Sequence, residues 1–510
     1  MQVATVLLCF VSGLALDHYE RLGPAIVVLT VVLGLSLGRT ERYGGIGRRL
    51  SSLAALPVVS VACNEVGRLF VQHPNLADTL FTLAIGLSIW MRRFGPLGTR
   101  AGTLIALPFI ALLVTPVPAV AGLLPSTGRS MLWSAIAAVV AYCWVWSVRA
   151  TAERLRLVEP LPRRQPRPQP RAAAGTAPKT GLARIPPSSR MALQTTLSLG
   201  LAFVIGRTVF DPHWAWIVLT AFIVNSGNRG RGDVVHKSVL RVLGAAVGTV
   251  IATLLAGALP PHDDTAVVVI LIVLAIGIWL RTISYVYWAG CVTSVLSLLQ
   301  GYFGEGHVGL IGERLLQIVL GGALAVLVAW WVLPVRSSDV LRRRLADCLG
   351  PLTDLLVATL REPAQAASRR AEFAANVVLL EQVAPAAAAH RRLHRLRGLG
   401  GGHPADAIDA VRDCVPAADS LTEQARLRPE SLREPENAGL AKAVIGNAVA
   451  ARRAVGRRPE AAYRPSPGEP AAGATAAALH RIDAAMQVIC AVYGGSYLAV
   501  GNLPAQPLEA

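Results

Sequence analysis

The sequence predicts an all-α integral membrane protein: twelve transmembrane helices in two parallel six-helix repeats, followed by a helical cytoplasmic domain. Composition is the first indication, because hydrophobic residues make up 53% of the 510 positions and charged residues only 16%. A soluble chain carries roughly a quarter charged residues. The other two indications are apolar blocks concentrated before Pro334 and short motifs of the first half that recur in the second.

The apolar blocks set the predicted spans, since a membrane helix needs about 20 mostly apolar residues. Six blocks fall in the first half and six in the second, at 1–16, 22–38, 50–70, 77–91, 101–123 and 130–148, then 191–210, 213–226, 239–259, 265–280, 283–301 and 313–334. They divide the chain into four parts. These are a first membrane repeat (1–148), a basic Pro/Arg-rich linker expected to be disordered (149–190), a second membrane repeat (191–336) and a cytoplasmic helical domain (337–510). Helix-forming composition in the last part predicts helices at about 338–361, 365–396, 405–428, 437–457 and 473–494.

The distribution of basic residues predicts the orientation in the membrane. With both termini in the cytoplasm, the inner loops counted through Arg344 hold 26 Lys and Arg, whereas the outer loops hold only Arg21 and Arg129. Basic loops stay on the cytoplasmic side, so this asymmetry predicts a multi-pass cell-membrane protein with both ends inside. It also explains the net charge of +18 without a nucleic-acid partner.

Three landmarks recur at an offset of nearly 190 residues. ValLeuThr at 28–30 returns at 218–220, and IleTrpMetArg at 89–92 returns as IleTrpLeuArg at 278–281. A Trp-rich segment that ends in ValArg at 148–149 returns with ValArg at 335–336. An even number of spans in each copy predicts two halves of the same orientation, with a substrate site between them.

Motifs for catalysis and nucleotide binding are missing from the sequence. It contains no GxxxxGK[ST] loop, HEXXH or GxSxG motif, and its seven cysteines occur singly without a CxxC pair. We therefore expect a non-enzyme without cofactor or metal, whose partners are the lipid bilayer and a small organic anion. Homo-oligomerisation stays open.

Ionisable residues near the ends of the predicted spans are the candidates for a substrate path, because a charge at membrane depth is costly. An anionic substrate needs fixed cations along its path, which we assign to Arg207 and Arg314 at the outer mouth and to Lys237 and Arg241 at the inner gate, with Glu313 and Asp211 beside the outer pair. Interfacial snorkelling, or an i,i+4 pair between Arg207 and Asp211, would explain the outer residues equally well. Trp214 and Trp216 are interpreted as an aromatic belt at the membrane surface.

The stretch from Trp214 to Thr249 and the last predicted span together carry a combination of motifs that resembles a known family. They are a Trp ahead of LeuThrAla at 219–221, a Gly/Arg-rich loop, Arg241 with the helix-packing residues Gly244 and Gly248, and Glu313-Arg314 ahead of Gly321 and Gly322 in the last span. Together they resemble the fusaric acid resistance protein-like (FUSC) family, which includes aromatic acid exporters. The resemblance implies two six-span halves and efflux of small organic acids. The first copy lacks the Gly-x-x-x-Gly after Arg49, so we expect functionally unequal halves.

The leading hypothesis is therefore a secondary transporter that exports small organic acids, aromatic carboxylates in particular, driven by an ion gradient. Two alternatives from other classes remain. The first is a passive organic-anion channel, and the second is a membrane-anchored scaffold or sensor that acts through its cytoplasmic domain.

Overall fold

The computed structural model describes residues 1–20, 22, 25–40, 46–114, 127–157, 185–211, 213–256, 263–302, 310–399, 401–457, 462–466 and 473–494. Within these ranges every regular element is helical. The chain divides into two compact units, Met1–Pro334 and Val335–Ala510. The predicted disordered linker lies for the most part outside the described residues, although helices extend into both of its ends.

The described residues of the first unit form twelve α-helices and one short 3-10 helix, Met91–Phe94. Helices α1 to α6 are Gln2–Glu20, Ala25–Thr40, Ile46–Gln72, Pro74–Trp90, Gly95–Val114 and Thr127–Arg154. Helices α7 to α12 are Pro187–Val209, Ala215–Asn225, Arg231–Ala256, Asp264–Leu280, Tyr285–Tyr302 and Leu310–Trp331. Each of the twelve predicted blocks overlaps one of these helices.

Seven of the described helices contain a segment long and apolar enough to cross a membrane. These segments are Gln2–Glu20, Arg49–Gln72, Leu97–Val114, Met131–Arg154, Pro187–Val209, Arg231–Leu255 and Gly312–Trp331. Three further apolar segments are shorter, at Ala25–Leu37, Ala215–Asn225 and Asp264–Leu280. The chain is therefore a multi-pass membrane protein.

Helix α8 is too short to cross a bilayer by itself. Its 11 residues rise about 16 Å, whereas the hydrocarbon core is about 30 Å thick. Nine of those residues, from Trp216 to Asn225, are buried within the protein. Because protein surrounds most of α8, this helix does not have to face lipid along a full span.

Two of the three landmarks of the predicted repeat fall on described helices of the same rank in the two sets of six. The third, ValArg, lies within α6 at 148–149 but after the end of α12 at 335–336. ValLeuThr lies in the second helix of each set, α2 and α8, and the IleTrp pair ends the fourth, α4 and α10. Thr30 and Thr220 close the first motif in each copy, and both are fully buried. The halves meet where α4 packs against α7.

The second unit has a hydrophobic core of its own, within helices α13 to α18. These are Ser337–Arg361, Pro363–Glu381, Ala384–Leu396, Asp406–Leu427, Pro435–Val455 and Ala474–Tyr493. Core side chains such as Leu349, Phe373 and Met486 are almost inaccessible to solvent. The predicted single helix at 365–396 is wrong, because the chain forms two helices that are separated after Glu381. Pro385 in the first turn of α15 cannot donate a backbone hydrogen bond to a preceding turn.

Candidate functional site

A cavity of about 520 Å³ lies between the two halves of the membrane unit. Helices α1, α2 and α5 of the first half line one part of it, and α8 to α11 of the second half line another. Its wall is mostly aliphatic and aromatic, and the aromatic contributors are Phe10, Phe222, Tyr285, Trp288 and Tyr302. Such a volume and lining are typical of a site for a small, mainly apolar molecule.

The short helix α8 and its counterpart α2 both contribute to this wall. Val28 and Val31 come from α2, and Leu219 and Phe222 come from α8. Short or interrupted hydrophobic segments at corresponding positions of two repeats are a sign of the substrate site in transporters. Helices α2 and α8 both contain one of the shorter apolar segments, and both line the cavity.

Arg241 is the most deeply buried charged residue of the cavity wall, with a relative exposure of 1%. The sequence predicted a helix that starts near residue 239, with Arg241 in its first turn. This predicted position of Arg241 is wrong. Helix α9 begins at Arg231, because the Asp233 carboxylate accepts a hydrogen bond from the Arg229 amide at 3.1 Å and pairs with Lys237 at 3.0 Å in the first turns. Arg241 thus lies about 15 Å along the helix from its start.

The guanidinium of Arg241 is only partly satisfied by the protein. Its Nη1 donates to the Ala289 carbonyl oxygen at 3.3 Å. Its Nε and Nη2 are buried without a hydrogen-bond partner among the described residues. These two groups share one edge of the guanidinium, and that edge matches the two oxygens of a carboxylate.

Another arginine of the chain shows that edge occupied. Arg207 donates from Nε and Nη2 to the two carboxylate oxygens of Asp78, at 3.2 and 3.0 Å. A buried cation without such a partner destabilises the fold by several kcal/mol. Arg241 is therefore the group in this wall best suited to bind an anion.

The glycine face of α9 holds Arg241 against α11. A Cβ atom at Gly244 would come within 2.7 Å of the Ala289 Cβ, and one at Gly248 would meet the Gly290 carbonyl. Ser294 Oγ donates to the Gly248 carbonyl oxygen at 2.8 Å across the same contact. Close approach of the two backbones allows the guanidinium one turn earlier to reach the Ala289 carbonyl.

We expect Gly248→Ala to destabilise the membrane unit by about 1–3 kcal/mol, because the added methyl group forces α9 and α11 apart. Gly200→Ala on α7 is the matched control, since a Cβ there meets nothing within 4 Å, and we expect a change of at most about 0.5 kcal/mol. Thermal stability of the two purified variants in detergent measures the difference. Equal melting temperatures would contradict the close packing.

The last span carries the other two glycines of the predicted packing face. Gly321 of α12 lies against α8, where a Cβ would be 2.6 Å from the Ile217 carbonyl oxygen. Gly322 lies against Ser238 of α9. Helix α12 thereby contacts both helices that carry the Trp214–Thr249 motif.

Lys237 also belongs to the cavity wall, but its charge is already matched. Its Nζ lies 3.0 Å from the Asp233 carboxylate and donates to the Ser226 carbonyl oxygen at 3.3 Å. The structure therefore distinguishes the two predicted inner cations. Lys237 holds the start of α9 to the end of α8, whereas Arg241 retains two unused donors.

The pair between Arg207 and Asp211, the alternative explanation of these residues, does not form in the structure. Arg207 pairs with Asp78 from the other half of the unit, and Asp211 is exposed. The Arg207 Cζ also lies 4.1 Å from the ring centroid of Trp214. A side chain 129 positions away along the chain outcompetes the neighbour one turn away, because the carboxylate of Asp78 meets both N–H groups of one guanidinium edge.

Trp214 and Trp216 are buried in the protein, with exposures of 4% and 3%. Their predicted place in an aromatic belt at the membrane surface is therefore wrong. Trp214 packs against Phe70 and Phe203, with ring centroids 5.1 and 5.4 Å apart. These contacts join α3 of the first half to α7 of the second.

The remaining predicted site residues lie near the start of α12. Glu313 accepts a hydrogen bond from Gln317 at 2.9 Å and lies 3.7 Å from His213. Arg314 is buried, with its Cζ 5.6 Å from the ring centroid of Trp216. None of Arg207, Arg314, Glu313 and Asp211 is among the cavity-lining residues, so their role at an outer mouth stays a prediction.

Sequence reasoning missed Asp78 as a partner for Arg207 and missed the contribution of the first half to the cavity. Asp78 was visible as an acidic residue in an apolar block, but nothing local showed which cation it would meet. Tyr285 and Trp288 open α11 after a short turn, and aromatic residues at a helix end could equally have been belt residues.

Comparisons with known proteins agree with the motif-based resemblance. Residues 197–328 match the family described as fusaric acid resistance protein-like. The chain is similar to "Multidrug resistance protein MdtO" of Shigella flexneri, at 29% identity over 176 residues, which is 33% of this chain and 25% of that protein. It is equally similar to the protein of that name in Escherichia coli, at 29% identity over 180 residues, which is 34% of this chain and 26% of that protein. The match thus spans about a quarter of the length of these curated relatives, and the family range contains α8, α9, α11 and Arg241.

Proposed function

We propose that this chain, whose second half carries a fusaric acid resistance protein-like domain, exports small organic acids, aromatic carboxylates in particular, across the cell membrane. The observation that carries the proposal is the buried guanidinium of Arg241, with two unused donors on one edge, in the wall of a cavity of about 520 Å³. An apolar wall favours an aromatic or aliphatic body, and the guanidinium edge favours a single carboxylate.

The architecture we propose with this function is twelve spans in two parallel repeats, with both termini in the cytoplasm. Three observations support it: seven spans by length and composition, two recurring motifs on described helices of equal rank, and the concentration of Lys and Arg in the predicted inner loops. Helix α8, which is too short to span alone, is accommodated in this architecture because protein surrounds it.

An ion gradient is the energy source that we propose, because the sequence contains no phosphate-binding loop. The named relatives support this proposal only by analogy. Their printed name, multidrug resistance protein, supports efflux as the direction of transport.

Accumulation assays test this function directly. Cells that express the chain should accumulate less labelled benzoate and hydroxybenzoate than cells without it, and a protonophore should abolish the difference. Benzamide, which has the same ring without the charge, is the matched control and should accumulate equally in both. Equal accumulation of the acids would contradict transport, whereas flux that follows only the electrochemical gradient would indicate the channel alternative.

A further inference from the structure

The end of helix α15 in the second unit presents leucines and arginines to solvent. Leu393, Leu396 and Leu399 have relative exposures of 46%, 85% and 52%. They are three of the five large hydrophobic side chains that are exposed among the described residues after Pro334. Arg392 precedes the first of them, Arg395 and Arg397 lie between them, and all three arginines are exposed as well. We call residues 392–399 the Arg/Leu surface.

Helical geometry orders these side chains into a pattern. At 100° per residue, Leu393 and Leu396 lie in the middle of the exposed face, with Arg392 and Arg395 on one side and Arg397 on the other. The helix ends at Leu396, and the chain then turns at Gly398, whose φ of +67° is left-handed. Its amide donates to the Arg395 carbonyl, and the Leu399 amide donates to that of His394, so Leu399 remains next to the last turn.

The positive charge of this surface is uncompensated locally. Arg391, the next residue on the helix, pairs with Asp406 and Asp409 at 2.7 and 2.6 Å. By contrast, Arg392, Arg395 and Arg397 take part in none of the ion pairs found among the described residues. The sequence from 384 to 399 contains no acidic residue. Asp406 and Asp409 thus pair with Arg391, and the charges of Arg392, Arg395 and Arg397 can pair with an external partner.

We propose that the Arg/Leu surface binds the anionic headgroup region of the lipid bilayer in which the chain itself resides. Exposed leucines flanked by arginines are the arrangement of a helix that lies in a membrane interface, with its apolar side chains among the acyl chains and its cations at the phosphates. Guanidinium groups also bind phosphate with two parallel hydrogen bonds.

The identity of the occupant follows from charge and from chain connectivity. A second copy of the chain, related by a two-fold axis, would bring the same three arginines to the contact and be repelled. The second unit, in contrast, follows directly after the span α12, which ends at Trp331, and its first helix begins at Ser337. This short connection ties the second unit to a membrane helix, so a bilayer is the partner available to the second unit at high effective concentration.

Hydrogen–deuterium exchange on the full chain in nanodiscs tests this proposal. One preparation contains phosphatidylcholine alone, and the other contains added phosphatidylglycerol. Three arginines predict a roughly 100-fold preference for the anionic bilayer, so the amides of 390–399 should exchange more slowly there. High salt should remove the difference in the unaltered protein, because a surface contact between charges is screened.

A matched pair of triple variants separates this surface from a general effect of charge. Arg392→Gln, Arg395→Gln and Arg397→Gln together should abolish the lipid dependence. The control variant removes the same charge from another exposed region, where Glu423, Glu430 and Glu434 are close in sequence. It combines Arg426→Gln, Arg428→Gln and Arg433→Gln, and it should leave the lipid dependence unchanged. Equal exchange in both lipids would overturn the proposal, as would loss of the effect in both triple variants. Protection that depends on protein concentration and not on lipid charge would indicate a second copy instead.

Discussion

Arg241→Met is expected to reduce export of aromatic carboxylates at least about 100-fold while the protein still folds and inserts. The loss follows because two charge-assisted hydrogen bonds to a carboxylate, each about 1.5–3 kcal/mol, disappear together. Folding survives because removal of a buried charge that the protein leaves partly unpaired is neutral or stabilising. Methionine also preserves most of the side-chain volume. Transport rates in proteoliposomes and melting temperatures in detergent measure the two effects separately.

Arg241→Lys distinguishes recognition of a carboxylate from a requirement for charge alone. Lysine keeps the positive charge but cannot present two parallel donors, so we expect KM to rise by about tenfold. Arg93→Met is the control, since Arg93 is exposed beside Trp90 and Phe94 and lies outside the cavity. If Arg241→Met inserted normally and exported at the original rate, the proposed anion site would be wrong. If it failed to fold, Arg241 would be a structural residue.

The sequence predicted the positions of helices well and their partners poorly. Apolar blocks and helix-stopping residues have local causes, so the tail helix expected at 437–457 is found at Pro435–Val455. The start of α9 was misplaced by eight residues because the segment before it is polar. Asp233 and Lys237 there form an i,i+4 pair that supports a helix, and a reading based on hydropathy passes over such pairs.

The candidate site was predictable only in part, for the same reason. Arg241 and its glycines could be identified as a unit, since an ionisable residue in a membrane helix is a functional candidate and a Gly-x-x-x-Gly motif marks a packing face. That Ala289 would accept one of its hydrogen bonds, and that Val28 and Val31 of the first half would line the same cavity, depends on tertiary packing. Hydropathy and short motifs carry no information about such contacts.

The pair of Asp78 and Arg207 gives the second large expected effect, on stability. Asp78→Asn should destabilise the membrane unit by about 3–5 kcal/mol, because it leaves the guanidinium of Arg207 among aromatic rings without its carboxylate. The pair is 11% and 21% exposed at its two side chains and links α4 of the first half to α7 of the second. Thermal unfolding in detergent measures the loss. Glu65→Gln is the control, because Glu65 and Arg68 form a pair within one helix, whose loss we expect to cost less than about 1 kcal/mol.

The double variant Asp78→Leu with Arg207→Met then separates a structural link from a role in the substrate path. Apolar residues of similar volume replace a buried ion pair with little or no loss of stability, so the double variant should recover most of what Asp78→Asn loses. Because the charge of Arg207 is already matched by Asp78 in the unaltered protein, we also expect the double variant to export at near the original rate. A double variant that is stable but inactive would instead make Arg207 a fixed cation of the outer mouth. One that is as unstable as Asp78→Asn would show that the two side chains are not energetically coupled.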